Sequence, residues 1–312
     1  MALSTSQFYR ILKQHYLQGM TQREIAEREK LSTATVSRAV NEGIEKGLVK
    51  VTLQLPEQSC PDLESSIKKR FGLDFVYVTH NDLQDSEIIR NEVAHAAAKY
   101  LCSILTQGDI VGLSWGRTLS AIANAVPPVH MKKLTFVSMS GGVGRDLSTT
   151  GAEQVLHQFV NAFHAQGYSM PLPTMVNSTE LAAALQKDEH IEQIYSLIEK
   201  ANIALFSLGC VGKGSLLYNT GYLTEDVFTR MREDGFVGEV CAKYYRADGT
   251  HENDEFYNRT IGITLEQLRE KERRICVVSD AEKVYALMGA INGGYINELF
   301  IDEYTAEALI KL

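Results

Sequence analysis

Several familiar signatures are missing from this chain. No stretch approaches about 18 consecutive apolar residues, and Met1 to Arg10 lacks the apolar core of a signal peptide, so neither membrane insertion nor secretion is indicated and the cytoplasm is the default. The cysteines Cys60, Cys102, Cys210, Cys241 and Cys276 are odd in number, widely spaced and without a Cys-x-x-Cys pair, which argues against a disulfide framework or a zinc site. The eight histidines show no His-x-x-x-His spacing, so no metal is expected either. A Gly-x-Ser-x-Gly elbow, a P-loop and a complete dinucleotide fingerprint at the first strand are all absent, so no catalytic residue is assigned and neither ATP nor NAD is inferred as a cofactor.

What is present is an ordinary globular composition. The 312 residues are 45% hydrophobic and 22% charged, enough to bury a sizeable core in two domains or in one large α/β unit with something attached. A net charge of -8 would usually discourage binding to nucleic acid, but the charge is uneven. Residues 1–55 carry eight Lys or Arg against five Glu, a surplus of three positive charges, which leaves -11 for the remainder. A small basic head on an acidic body is the pattern.

In the head, Phe8, Ile11, Leu12 and Tyr16 recur at helical spacing from Ser6 to about Gln18, and Gly19 stands where a helix would stop. Thr21 followed by Glu24 forms a capping box that opens a short second helix with Ile25 and Ala26 on its apolar face. After a turn at Lys30-Leu31, Ser32 is the expected N-cap of a third helix running to about Glu45, closed by Gly47. Two short helices joined by a tight turn have the layout of a helix-turn-helix, whose second helix lies in the major groove of double-stranded DNA. Ala26, Leu31, Val36 and Val40 are its expected core. Thr21, Gln22, Ser32, Thr33, Thr35, Ser37 and Arg38 are the expected DNA contacts, with hydroxyls toward phosphates or base edges and Arg38 toward phosphate or a guanine edge. Alternation over Leu48–Leu53 predicts a strand, or wing, after the third helix.

Residues 56–61, with Pro56 and Pro61, read as a linker, and 62–312 as a second domain. Beyond the linker, short apolar runs alternate with helical patterns: Phe75–Val78, Ile110–Ser114, Leu134–Met139, Ile203–Leu208, Ile275–Ser279 and Glu298–Ile301 are the expected strands. This pattern predicts an α/β domain with a doubly wound, Rossmann-like parallel sheet covered on both faces. Ligands of such sheets sit beyond the carboxyl ends of the strands, where backbone amides meet an anion. Trp115-Gly116-Arg117-Thr118, Ser140-Gly141-Gly142-Val143-Gly144-Arg145 and Gly209-Cys210-Val211-Gly212-Lys213-Gly214 each follow an expected strand, and Lys283 opens the helix after another. Glycines also end strands for steric reasons alone, but convergence of three such turns points to a phosphorylated small molecule.

Together, Thr21-Gln22-Arg23-Glu24-Ile25-Ala26, Thr35-Val36-Ser37-Arg38, Gly108 to Gly116, Ser140-Gly141-Gly142-Val143, Ala201 to Phe206 and Gly293-Gly294-Tyr295-Ile296-Asn297 resemble the SorC family of bacterial sugar-responsive transcriptional regulators over nearly the whole chain. The resemblance implies an N-terminal operator-DNA reader, a C-terminal domain similar to sugar-phosphate isomerases and deaminases, a phosphorylated sugar effector, and a homotetramer built as a pair of dimers. It maps the effector site to Gly116, Arg117, Thr118, Ser140, Gly141, Gly142, Gly209 and Lys283. Where the family's deoxyribonucleoside-responsive branch places a Schiff-base lysine, this chain has Ser140, which cannot do that chemistry. Where relatives often carry an Asp after two aromatics, it has Tyr244-Tyr245-Arg246, and Arg246 favours an additional acidic group on the effector. The rival reading is a sugar-phosphate isomerase or deaminase with an accessory helical domain, for which Asp146 and Glu153 are the candidate acid or base.

Overall fold

The computed structural model describes residues 3–49, 58–127, 129, 133–143, 151–252 and 255–312, and the chain divides into two compact units, Met1–Pro56 and Glu57–Leu312.

The first unit is three helices: α1 Thr5–Tyr16, α2 Gln22–Glu29 and α3 Thr33–Glu45. Each start is fixed by a side-chain cap, Ser4 with Gln7, Thr21 with Glu24, and Ser32 accepting from the Thr35 amide, which satisfies donors that a helix start leaves unpaired. Lys30, at φ 56°, ends α2 and turns the chain toward Ser32. Ile11, Ile25, Ala26, Val36, Ala39 and Val40 form the buried core, with Leu31 packed at its edge. A Cβ at Gly43 would stand 2.6 Å from Leu12 Cδ2, so this glycine lets α3 approach α1. Glu29 accepts from Arg10 Nε at 2.7 Å and from Gln14 Nε2 at 2.9 Å, tying α2 to α1. Leu48 and Val49 lie in a turn, and the rest of the strand expected over 48–53 falls outside the described residues.

The second unit runs α4 Pro61–Phe71, β1 Phe75–Thr79, α5 Ser86–Ile104, β2 Ile110–Leu113, α6 Arg117–Ala125, β3 Thr135–Ser138, α7 Ala152–Phe163 and β4 Gln166–Tyr168. It continues with α8 Thr179–Gln186, α9 Glu189–Lys200, β5 Ile203–Phe206, β6 Gly209–Cys210, α10 Leu216–Asn219, α11 Glu225–Glu233, β7 Phe236–Val240 and β8 Lys243–Arg246. It closes with α12 Glu255–Asn258, α13 Leu265–Arg269, β9 Arg273–Val278, α14 Val284–Asn292, β10 Glu298–Asp302 and α15 Glu303–Lys311. Seven strands form a parallel sheet in the order β1-β10-β9-β5-β2-β3-β4, and β6-β7-β8 form a small antiparallel sheet.

The central residues of β1, β2, β3, β5, β9 and β10 are apolar because both faces of the large sheet are covered there. Successive residues enter two separate cores: Val76, Val78, Val137, Ala204, Phe206, Cys276, Val278, Leu299 and Ile301 join one, while Phe136, Ile203, Leu205, Ile275, Val277 and Phe300 join the other. That is the period of two expected of strands sandwiched between helical layers, so the doubly wound α/β reading holds. Winding runs from β2 outward through β3 to β4, then reverses from β5 through β9 to β10, so the direction switches between β2 and β5.

Two features depart from the reading of the sequence. Residues 59–61, expected in a linker, belong to the second unit: Ser59 bridges Thr79, the Cys60 amide donates to Val78 O, and Pro61 is the first residue of α4. The antiparallel sheet and edge strand β4 were not expected, because Gly167, Gly209 and Gly238 interrupt β4, β6 and β7 and β8 carries Lys243 and Arg246 at its ends, which leaves no apolar run to read.

Ile25→Ala, which empties a fully buried position in the first unit, is expected to destabilise that unit by roughly 2–5 kcal/mol while leaving the second unchanged. Trp115 fluorescence reports the second unit alone and helical circular dichroism reports both, so in urea a displaced dichroism component with an unmoved fluorescence transition is the expected result; displacement of the fluorescence transition would refute it.

Candidate functional site

At the switch point, the carboxyl ends of the central strands open onto a cavity of about 790 Å³. This is within the range of small-molecule sites, and the location is where open parallel sheets bind ligands. Its walls come from Ser114–Thr118 after β2, Ser207–Ser215 after β5, Ser279, Asp280, Glu282 and Lys283 after β9, Ser86 and Arg90 of α5, and Glu239, Cys241 and Ala242 of the β7–β8 hairpin.

Gly116 is the pivot of the first wall. Its φ of 120° and ψ of -179° suit glycine alone, and it is the N-cap of α6 with no side-chain cap. The first intrahelical bond is donated by Ser120 to Gly116 O, so the amides of Arg117, Thr118 and Leu119 have no partner within the helix. These amides and the helix dipole make positive potential at the cavity. Arg90, Arg117, Lys213 and Lys283 add cationic side chains, while Glu239, Asp280 and Glu282 supply acceptors. The Ser114 and Ser207 hydroxyls, at the ends of neighbouring strands β2 and β5, are buried without a hydrogen-bond partner. Buried polar atoms are normally satisfied, so two orphans in one cavity wall mark a place for a polar ligand.

The opposite wall is strained. Cys241 and Ala242, at φ 52° and 62°, take the left-handed conformation in the β7–β8 turn, where glycine or asparagine is usual. Glu239 holds this turn by accepting from the Ala242 amide at 2.7 Å. A Cβ at Gly209 would sit 2.0 Å from Glu239 Oε1, so Gly209 is the residue that admits this carboxylate. Burial pushes the Glu239 carboxyl above its ordinary range, opposed by the Ala242 amide and by Lys283.

Of the sequence-predicted residues, Gly116, Arg117, Thr118, Gly209 and Lys283 meet in this cavity. Ser140, Gly141 and Gly142 are not among its lining residues. Ser140 is fully buried and accepts from Trp115 Nε1 at 3.0 Å, the Gly141 amide donates to Ile261 O, and the Gly142 amide donates to Leu172 O. Gly141 is required sterically, since a Cβ there would meet Leu172 and Pro173 oxygens at 2.5 Å. The second glycine turn thus seats Trp115 and offers no free Gly141 or Gly142 amide. Arg246 lies elsewhere: its Nε donates to Asp234 O, its Nη2 pairs with Glu252, and its guanidinium stacks over Phe236. Arg90 and Glu239 were missed, because neither sits in a local motif and only the fold brings α5 and the hairpin to the strand ends.

In the first unit, Ser32, Thr33 and Arg38 are exposed along the opening of α3, with Thr35 and Ser37 partly so. The Thr21 and Ser32 hydroxyls serve as caps, and Gln22 is partly exposed at the start of α2. Of the candidates for enzymatic acid or base, Asp146 falls outside the described residues, and Glu153, in α7, is not among the residues lining the cavity.

Residues 56–311 match a family model described as a sugar-binding domain. The chain is 33% identical over 297 residues to the deoxyribonucleoside regulator of Bacillus subtilis, covering 95% of each. It is 27% identical over 298 residues to the erythritol catabolism regulatory protein EryD of Brucella abortus, covering 95% of this chain and 93% of that one. Among solved structures, a domain of a possible sugar-binding transcriptional regulator from Arthrobacter aurescens TC1 superposes with TM-score 0.73 at 30% identity, covering 81% of this chain and 97% of the other. The full-length sorbitol operon regulator SorC of Klebsiella pneumoniae superposes with TM-score 0.74 over 98% of this chain and 100% of its own; at 23% identity it shares the fold.

The raised Glu239 carboxyl carries a pH dependence. A carboxyl that binds its proton more tightly folded than unfolded lowers stability progressively as pH rises from the ordinary carboxylate range through the raised value. Glu239→Gln keeps an acceptor for Ala242 and is expected to unfold at the wild-type temperature in acid but at a higher one above neutrality. Thermal unfolding across pH checks this; an offset independent of pH would refute it.

Proposed function

Because the chain belongs to the SorC-type family of transcriptional regulators that carry this sugar-binding domain, whose named members are regulators and not enzymes, we propose that its first unit reads operator DNA and its cavity takes a phosphorylated sugar. The observation that carries the effector reading is the uncapped N-terminus of α6, opening into the same cavity as the unpaired Ser114 and Ser207 hydroxyls and four basic side chains. An anion at the Arg117–Leu119 amides takes the hydrogen bonds that the helix start leaves open, and sugar hydroxyls suit the serines and Glu239. Ser140 offers no amine, so capture of the sugar is non-covalent at that position. Arg246, committed to Asp234 and Glu252, supports the hairpin that carries Glu239, and Ser140 with Gly141 positions Trp115.

For the DNA reading, support comes from the basic surplus of the head and from the exposed start of α3. Ser32, Thr33, Thr35, Ser37 and Arg38 face the groove, with Thr21 and Gln22 at the backbone from the start of α2. A surplus of three positive charges supports only a few phosphate contacts per head, and so weak, salt-sensitive binding. Specific binding then requires several heads on a symmetric site, for which a homotetramer of paired dimers is the proposed assembly. A sugar that binds two arrangements of that assembly unequally shifts operator affinity by the difference, typically about 1–3 kcal/mol.

Arg38→Ala is expected to abolish sequence-specific retardation of an operator fragment while sedimentation shows the assembly intact; unchanged specific retardation would remove Arg38 from the interface. In a thermal-shift screen of sugar phosphates beside the free sugars, a phosphorylated compound at a hundred times its dissociation constant is expected to stabilise the protein by about 2.7 kcal/mol. The shift should shrink in Lys283→Ala and Thr118→Val. A screen in which only unphosphorylated sugars stabilise the chain would overturn the anion site.

A further inference from the structure

We propose that Cys60, His80 and Glu303 form a binding site for a thiophilic divalent cation of the zinc type, distinct from the sugar cavity. Three points far apart in the chain meet at the edge of the large sheet. The Cys60 amide donates to Val78 O at 2.9 Å and the His80 amide to Gln58 O at 3.0 Å, so residues 58–60 lie antiparallel to the end of β1. Parallel pairing of β1 with β10 puts Thr79 beside Asp302, and Glu303 follows as the first residue of α15. As a result, a Cys60 sulfur, a His80 ring nitrogen and a Glu303 oxygen lie within 4.8 Å of one another.

Thiolate sulfur, imidazole nitrogen and carboxylate oxygen are the donor types zinc accepts, the cation displacing the Cys60 thiol proton to water as it binds. Bonds of about 2.0–2.3 Å place tetrahedral ligand atoms roughly 3.3–3.8 Å apart. The present 2.7 Å between His80 Nδ1 and Glu303 Oε2 therefore opens, and the sulfur closes in, by side-chain movement alone. His80 Nε2 is 3.3 Å from Asp82 Oδ1, and a carboxylate on the distal nitrogen is the partner that orients a metal-bound imidazole. Glu64 and Glu307 add negative potential at the Cys60 sulfur, which favours an arriving dication. All three donors are partly exposed, so an ion has an approach and water can complete the coordination. The Cys60 thiol packs at the edge of the core and hydrogen-bonds to Glu303, so its sulfur already faces the carboxylate and the imidazole. The three positions are spread over most of the chain, which is why ligand spacing in the sequence gave no sign of them. Bound metal would tie the first described residues of the second unit to β1 and α15.

Full-length protein stripped with a chelator and titrated with Co²⁺ tests this. A thiolate-to-cobalt charge-transfer band should appear, saturate at a single ion per chain and be erased by Zn²⁺. It should vanish in Cys60→Ser, persist in Cys102→Ser and Cys210→Ser, and need at least about tenfold more cobalt in His80→Gln. Metal-free variants that melt at the wild-type temperature show that loss of the band is loss of a ligand. No band, a band that survives Cys60→Ser, or cobalt affinity unchanged in His80→Gln would overturn the site.

Discussion

Everything in the second unit follows from the need of a parallel sheet to hide both its faces. Alternate residues of β1, β3, β5, β9 and β10 enter different cores, so neither face is available to a ligand. What remains accessible is the carboxyl edge, where strands turn into helices and the first amides of each helix lack partners within the helix. Reversal of winding between β2 and β5 parts the two turns at the centre of that edge, and the cavity lies in the gap. Site location is thus a consequence of topology before any particular side chain is considered.

Side chains then decide what the gap can hold. Gly116 leaves α6 uncapped where Asp85, Ser178, Asp188 and Asp302 cap other helices of the same unit, so the same physical group, an unpaired amide, is satisfied internally at those starts and left available at this one. Facing it, a hairpin with two non-glycine residues in the left-handed region is held by Glu239, itself a half-buried carboxylate with a raised proton affinity. Strain and burial of this kind persist only where surrounding structure maintains them, and they gather at binding sites.

How much of this was legible depended on how local the physics is. Helix starts were readable because a cap is a contact between residues three apart: Thr21 with Glu24 and Ser32 with Thr35 stand in the structure as the sequence suggested. Six strands of the large sheet were readable because burial on both faces forces apolar runs, whereas β4, β6 and β7 contain glycine and β8 begins and ends in a charged residue, which leaves no such run to detect. Glycine turns were recognisable as turns, but whether their amides face a ligand was not. The turn at 116–118 is free because α6 begins there uncapped, while the turn at 140–142 spends its amides on Ile261 and Leu172, residues far along the chain.

The sequence by itself determined the split into a basic helical head and an acidic α/β body, the starts of α2 and α3, and the residues that turn at the ends of β2, β5 and β9. These depend on charge, on contacts a few residues apart and on hydrophobic period. Only the tertiary structure decided which turns share a cavity, that Arg90 and Glu239 join them, that Arg246 does not line it, and that Cys60, His80 and Glu303 meet. Those juxtapositions depend on strand order and on the packing of α5, α15 and the hairpin, and distance along the chain carries no information about them.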